Sequence, residues 1–244
     1  MAASFAPETL ALGILIAFAA GLVRGITGFG GAMVMSPPLA LLLGARLTVP
    51  VVILLEALAA MPMVVQTIRQ VHWRVIVPII VAACLTIPLG GHILVNADPL
   101  VLRRAIAATV IGFALLLLRG WRYSGPPRLA TSVTLGGLSG AMMGATSVGA
   151  PPVILYLLSG PDPIARTRAT LTFYLGATGI AVLAMLWARG LLDARSGWIA
   201  LVLAPGFYGG VVAGMRLFSK FNDRRFRQFT LLLLVAVSTG ILLA

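Results

Sequence analysis

Two charged residues stand inside apolar sequence: Arg24, in GLVRGITGFGG, and Glu56, in VVILLEALAAMP. An ionisable group in hydrocarbon costs several kcal/mol unless it faces a cavity or a partner, so both are expected to face the interior of a helix bundle. Arg24 would supply fixed positive charge for an anion, and Glu56 would take up and release a coupling proton. The plainer alternative is a structural Arg24–Glu56 pair, with Arg24 otherwise snorkelling to the interface. Close after Arg24 come Thr27, Gly28, Phe29, Gly30 and Gly31, a glycine-rich interruption with an apolar run behind it. A helix restarting there presents about half a positive charge and free N–H groups, and glycines let an anion approach the backbone. A counterpart lies at 145–149, where Thr146 and Ser147 offer hydroxyls and Gly149 offers close approach. These residues make up the candidate substrate site. The competing explanation for the glycines is close helix packing, which accounts fully for Gly206, Gly210 and Gly214, spaced four apart on an uninterrupted run.

Other reactive side chains form no constellation. His72 and His92 have no second ligand at metal spacing, so no metal site is expected. Asp98, Asp162, Asp193 and Asp223 fall in loops without a carboxylate partner for acid–base work. Nucleophile, phosphate-loop and dinucleotide motifs are missing, so neither an enzyme nor a cofactor is expected. Cys84 lies in an apolar run and reads as packing. Gln66, Tyr156 and Tyr174 are weaker candidates for lining a path.

The elements that must hold these groups are membrane helices. With 60% hydrophobic and 10% charged residues and a mean hydropathy of +1.06, the chain departs from soluble domains, which carry about 25% charged residues. Its net charge of +12 is carried at helix ends without interleaved aromatics, so lipid headgroups account for it and a nucleic-acid partner is set aside. No Lys or Arg precedes the first apolar run, Leu10 to Ala20, so it is not expected to be a cleaved leader. Gly21 to Gly44 and Gly137 to Gly160 are matching segments, each with a glycine-rich centre followed by Pro-Pro. Their outer glycines register at an offset of 116 and their proline pairs at 114. Paired interrupted segments in corresponding places point to a transporter's binding site. Continuous runs at about 48–68, 75–95, 101–118, 168–187, 197–215 and 227–244 each match the ~20 residues of a span.

The expected fold is therefore an all-α polytopic membrane protein, one transmembrane domain over 1–244. It has two inverted repeats, about 8–120 and 128–244, each a broken, re-entrant helical hairpin plus three transmembrane helices. Treating each broken segment as a hairpin places Arg69, Arg74, Arg119, Arg122, Arg128, Arg166, Arg168, Arg216, Lys220, Arg224, Arg225 and Arg227 on one side. Only Arg46, Arg103, Arg104, Arg189 and Arg195 face the other, so the first side is cytoplasmic by the positive-inside rule and both termini are periplasmic. Trp73, Trp121, Trp187 and Trp198 then fall at interfaces.

The blocks GLVRGITGFGGAMVMSPPLALLLG, VHWRVIVPIIVAACLTIPLGG and GLSGAMMGATSVGAPPVILYLLSG resemble the signatures of the TauE/SafE family of sulfite and organosulfur anion exporters. The resemblance covers most of the chain. It implies a secondary carrier in the bacterial inner membrane for sulfite, a sulfonate such as sulfoacetate, or a related small carboxylate. Ala145, Thr146, Ser147 and Val148 stand where the family more usually has a glycine-rich tip. The expected function is proton-coupled transport of a small anion; a passive anion channel is the alternative. Expected partners are the anion and membrane lipid, with a homodimer left open. Reporters that are active only outside the cytoplasm, fused to either terminus, should both give signal; a silent fusion with a folded protein would refute the inverted-hairpin topology.

Overall fold

The computed structural model describes residues 7–119, 128–160 and 162–218. The anticipated span 227–244, Trp121 and the basic residues after Arg216 lie outside them. Among the described residues every regular element is helical: α1 (Pro7–Thr27), α2 (Gly31–Leu43), α3 (Ala45–Thr67), α4 (Trp73–Asn96), α5 (Pro99–Leu118), α6 (Leu129–Thr146), α7 (Pro151–Leu158), α8 (Ile164–Ala188) and α9 (Ala194–Phe218). The apolar runs set the helices and short polar segments punctuate them. Asp98 Oδ1 accepts the Leu100 N–H at 2.8 Å at the start of α5, and Asp193 Oδ1 accepts the Ser196 N–H at 2.7 Å at the start of α9. That second bond, with the Ser196 hydroxyl and Arg195 adding to it, holds the Asp193 carboxyl below its ordinary range.

Six helices, α1, α3, α4, α5, α8 and α9, are long and apolar enough to cross a membrane, which makes this a multi-pass membrane protein. Five of them fall on the continuous runs anticipated from sequence. The sixth, α1, is the first arm of a broken segment; its 21 residues reach ~31 Å, a length sufficient for a span. The arms after the breaks are short, 13 residues in α2 and 8 in α7. Pro37 and Pro38 sit inside α2 without interrupting it, whereas Pro151 and Pro152 open α7. Proline suits the first helical position because its missing N–H would be unpaired there anyway.

The arms before the breaks pack on distant helices: α1 runs along α9, α6 along α4, and α3 meets α8 in the middle. Lipid offers no hydrophobic drive for helix pairing, so close backbone approach through small residues has to provide it. On α1 and α9, Cβ atoms at Gly21, Gly25, Gly210 and Gly214 would run into the backbones of Phe207, Val211, Phe18 and Leu22. On α6 and α4, Gly136, Gly140, Gly144 and Gly90 meet Ile79, Ala83, Ile87 and Ala141 in the same way. The helix α3 is the most enclosed span and α5 the least. Exposed Leu15, Val65, Leu85 and Leu201 face outward, as lipid contact requires, and Trp73, Trp187 and Trp198 stand exposed near helix ends.

Gly210→Leu should therefore lower the thermal stability of the purified protein by about 1–3 kcal/mol, the usual range for overpacking. Gly209→Leu, one residue away with nothing within 4 Å of the added Cβ, should leave it unchanged. Equal stability of the two variants would show that the α1–α9 seam is not closely packed.

Candidate functional site

The two breaks are built alike. At the first, the Thr27 hydroxyl bonds back to the Val23 carbonyl at 2.8 Å and accepts the Phe29 N–H at 3.2 Å. At the second, the Thr146 hydroxyl bonds the Met142 carbonyl at 2.7 Å and accepts the Val148 N–H at 3.2 Å. The next residue in each is left-handed, Gly28 at φ 79 and Ser147 at φ 61. Only a residue without a Cβ takes that conformation freely, so Ser147 is strained where Gly28 is not. The breaks thus repeat at 119 residues, Thr27 to Thr146 and Gly28 to Ser147, and not at 116 or 114. The glycine-rich sequence admits several registers, and the proline pairs mislead because they lie at different depths in α2 and α7. Both threonines close the ends of α1 and α6 and are occupied there, so neither offers an uncommitted hydroxyl to a ligand.

Between the breaks lies a cavity of ≈20 Å³, bordered by Arg24, Gly30, Glu56, Met143, Ser147 and Leu175 among others. The breaks meet directly: the Ser36 hydroxyl of α2 lies 2.8 Å from that of Ser147. Arg24 is fully buried and its Nη1 stands 2.7 Å from Glu56 Oε2. The contact is an ion pair without hydrogen-bond alignment. Arg24 Nε, Nη1 and Nη2 and Glu56 Oε1 are buried and have no hydrogen-bond partner. Four such atoms at one place are tolerable only where a ligand, a water or a second conformation completes them, since an unmade buried bond costs about 1–3 kcal/mol.

The start of α2 is where the Glu56 carboxylate sits. A Cβ at Gly31 would collide with Glu56 Oε1, and the Ala32 N–H faces the same carboxylate. Gly30 precedes the helix at φ 89 and borders the cavity, and an added Cβ there would meet Val23 at an ordinary contact distance of 3.6 Å. The second helix start is poorer in donors, because Pro151 and Pro152 have no N–H. There Ser147 supplies the polar group, while Gly149 is a packing position: a Cβ on it would strike the Ser139 carbonyl and Met143, and its own carbonyl accepts the Ser139 hydroxyl. Phe29 packs against the core with its ring partly buried, and its carbonyl accepts the Thr27 hydroxyl.

The structure thus brings Arg24, Glu56, Gly30, Gly31 and Ser147 to one place, and it assigns Thr27, Gly28, Phe29, Thr146 and Gly149 to building the breaks. Sequence reasoning missed Ser36, whose signal was a hydroxyl directly before the proline pair in an apolar run. Arg168 was missed too, since it reads as an ordinary interfacial cation. Its guanidinium lies over Gly28, Nε 3.0 Å from an added Cβ, and donates to the Ile26 carbonyl at 3.3 Å. A cation at the carbonyl end of α1 complements the helix dipole. Tyr174 donates to or accepts from Ser139 at 2.6 Å, and Tyr156 lies 3.2 Å from Ser132, so both brace α6. The Gln66 side chain lies outside the described residues.

Residues 13–241 match the family Sulfite exporter TauE/SafE. No curated protein and no solved structure matches the chain. The chain belongs to this family, whose members are membrane transporters of sulfite and related anions and not enzymes.

Removing one partner of a buried ion pair costs about 3–5 kcal/mol, whereas replacing both by apolar groups is close to neutral. Arg24→Met should accordingly lower the melting temperature and folded yield sharply, and adding Glu56→Leu should restore both. A single variant as stable as wild type would mean that the two charges are not paired.

Proposed function

We propose that the chain is a secondary transporter which moves a small anion, sulfite or an organosulfonate such as sulfoacetate, across the bacterial inner membrane through the cavity between the two breaks. The observation that carries this reading is Arg24: a fully buried guanidinium with three nitrogens lacking hydrogen-bond partners, at the edge of that cavity. Ser147, whose hydroxyl meets that of Ser36, and the first amides of α2 add neutral polar groups beside it. Family membership supplies the substrate class; the site supplies one cation and several hydrogen-bond donors, the set a compact oxyanion needs. The fold reading extends to two inverted halves with periplasmic termini. The exchange of partners between α1 with α9 and α6 with α4 and the like construction of the breaks support the two halves, and the Lys and Arg asymmetry of the sequence supports the periplasmic termini.

A carrier is favoured over a passive channel by size. A cavity of ≈20 Å³ accommodates about one water and no four-atom anion, so the substrate enters only when the arms around the breaks move. That movement, alternating between the two sides, is what a carrier does and a channel does not require. Glu56 is assigned the coupling proton, because among the described residues it is the carboxylate placed inside a span and beside the cavity.

Sulfite flux into vesicles reconstituted with the purified chain tests the assignment. The Arg24→Met, Glu56→Leu double variant should fold and carry no sulfite. Ser147→Ala should carry it with affinity weakened roughly 2- to 10-fold, the equivalent of one neutral hydrogen bond at about 0.5–1.5 kcal/mol. Wild-type flux in the double variant would remove the site from the mechanism.

A further inference from the structure

We infer that the Glu56 carboxylate is a tethered competitor of the transported anion: it occupies the place at Arg24 and the start of α2 that the substrate's own oxygens must take. Resting on the anion site proposed above, the inference adds how that site is emptied and filled.

The geometry gives one locus and two claimants. Glu56 Oε2 is 2.7 Å from Arg24 Nη1, and Oε1 lies where a Cβ on Gly31 would be, against the first turn of α2. These are the cation and the helix start that a small anion would use, and a carboxylate already fills them. The remaining volume of ≈20 Å³ leaves no room for a second anion beside it. Among the described residues no other charge balances the pair. The groups facing it are Ala32 N–H from α2, Phe207 and Tyr208 from α9, Gly179 and Leu175 from α8, and Met143 and Ser147 from α6 and the second break. Of these only Tyr208 is titratable, and its hydroxyl is directed to the Leu55 carbonyl at 3.4 Å.

The structural counterparts of the charges, at the 119-residue spacing of the breaks, are Met143 and Leu175. Both border the same cavity, and neither can hold an anion. Among the described residues this cavity therefore has one cation and one internal anion to answer it. An entering anion beside an ionised Glu56 would put two negative charges on one guanidinium in low dielectric, which favours protonating the carboxyl. Glu56 then swings off Arg24 as a neutral acid, and the substrate's oxygens take its place. On release, the proton leaves Oε and the carboxylate returns to Arg24. One proton and one anion thus load together, and the empty carrier keeps its buried arginine neutralised throughout.

Binding of sulfite to the purified full-length chain, measured by calorimetry in two buffers of different ionisation enthalpy, tests this. At about pH 8.5, wild type should take up about one proton per sulfite bound, beyond any that sulfite itself gains, and its affinity should fall about tenfold per pH unit in the alkaline range. Glu56→Gln, which keeps the shape but carries no charge, should bind at least about tenfold tighter than wild type at that pH and take up no proton, with the difference between the two shrinking as the pH falls. Sulfite should also raise the melting temperature of Glu56→Gln more than that of wild type, because it neutralises an arginine left without its partner. Sulfite binding to wild type without proton uptake overturns the inference, as does a folded Glu56→Gln that binds no tighter at alkaline pH. Should the variant not fold, the proton count on wild type decides alone. If sulfite binds neither protein at any pH, the anion site fails and the inference falls with it.

Discussion

A guanidinium buried away from water must be answered by charge or by hydrogen bonds, and among the described residues Arg24 is answered by Glu56 alone. Much of the centre follows from that constraint. Glu56 has to reach from α3 to the end of α1, which brings α3 into the enclosed middle of the bundle. Gly31 has to lack a side chain, because the carboxylate lies where its Cβ would be. A buried pair of this kind contributes little to stability compared with apolar residues of the same volume. Its retention makes sense where the charges do something besides hold the fold.

The second constraint is the backbone itself. In a membrane a broken helix survives only where protein or a wet cavity satisfies the groups it frees. Each break solves this locally with a threonine that serves both sides of the gap, Thr27 and Thr146, and globally by meeting the other break through Ser36 and Ser147. Bringing the two ends together requires the arms to lie close to the helices beside them. The glycines of α1, α6, α4 and α9 permit that approach, so packing and site are consequences of one glycine distribution. The same residues that suggest an anion cradle in the sequence divide, in three dimensions, into some at the cavity and others that build the breaks.

The class of the protein, its helices and its interruptions are legible in the sequence because each depends on local chemistry. About twenty apolar residues in a row make a span wherever they occur, and glycine and proline interrupt a helix by their own covalent geometry. The isolation of Arg24 and Glu56 in apolar sequence was likewise sufficient to mark them, since any charge there needs a partner. What the tertiary structure decided is which groups share a place. The arrival of Ser36 opposite Ser147 and of Arg168 over Gly28 depends on contacts across more than a hundred residues of chain, and the register of the two breaks and the role of Gly149 as a packing point on how the chain folds back at each break. Sequence spacing carries no information about such crossings, because they are set by how closely two backbones approach. The occupation of the start of α2 by Glu56 belongs to the same class: composition could name both the cation and the carboxylate, but only packing could put the carboxylate where the anion was expected.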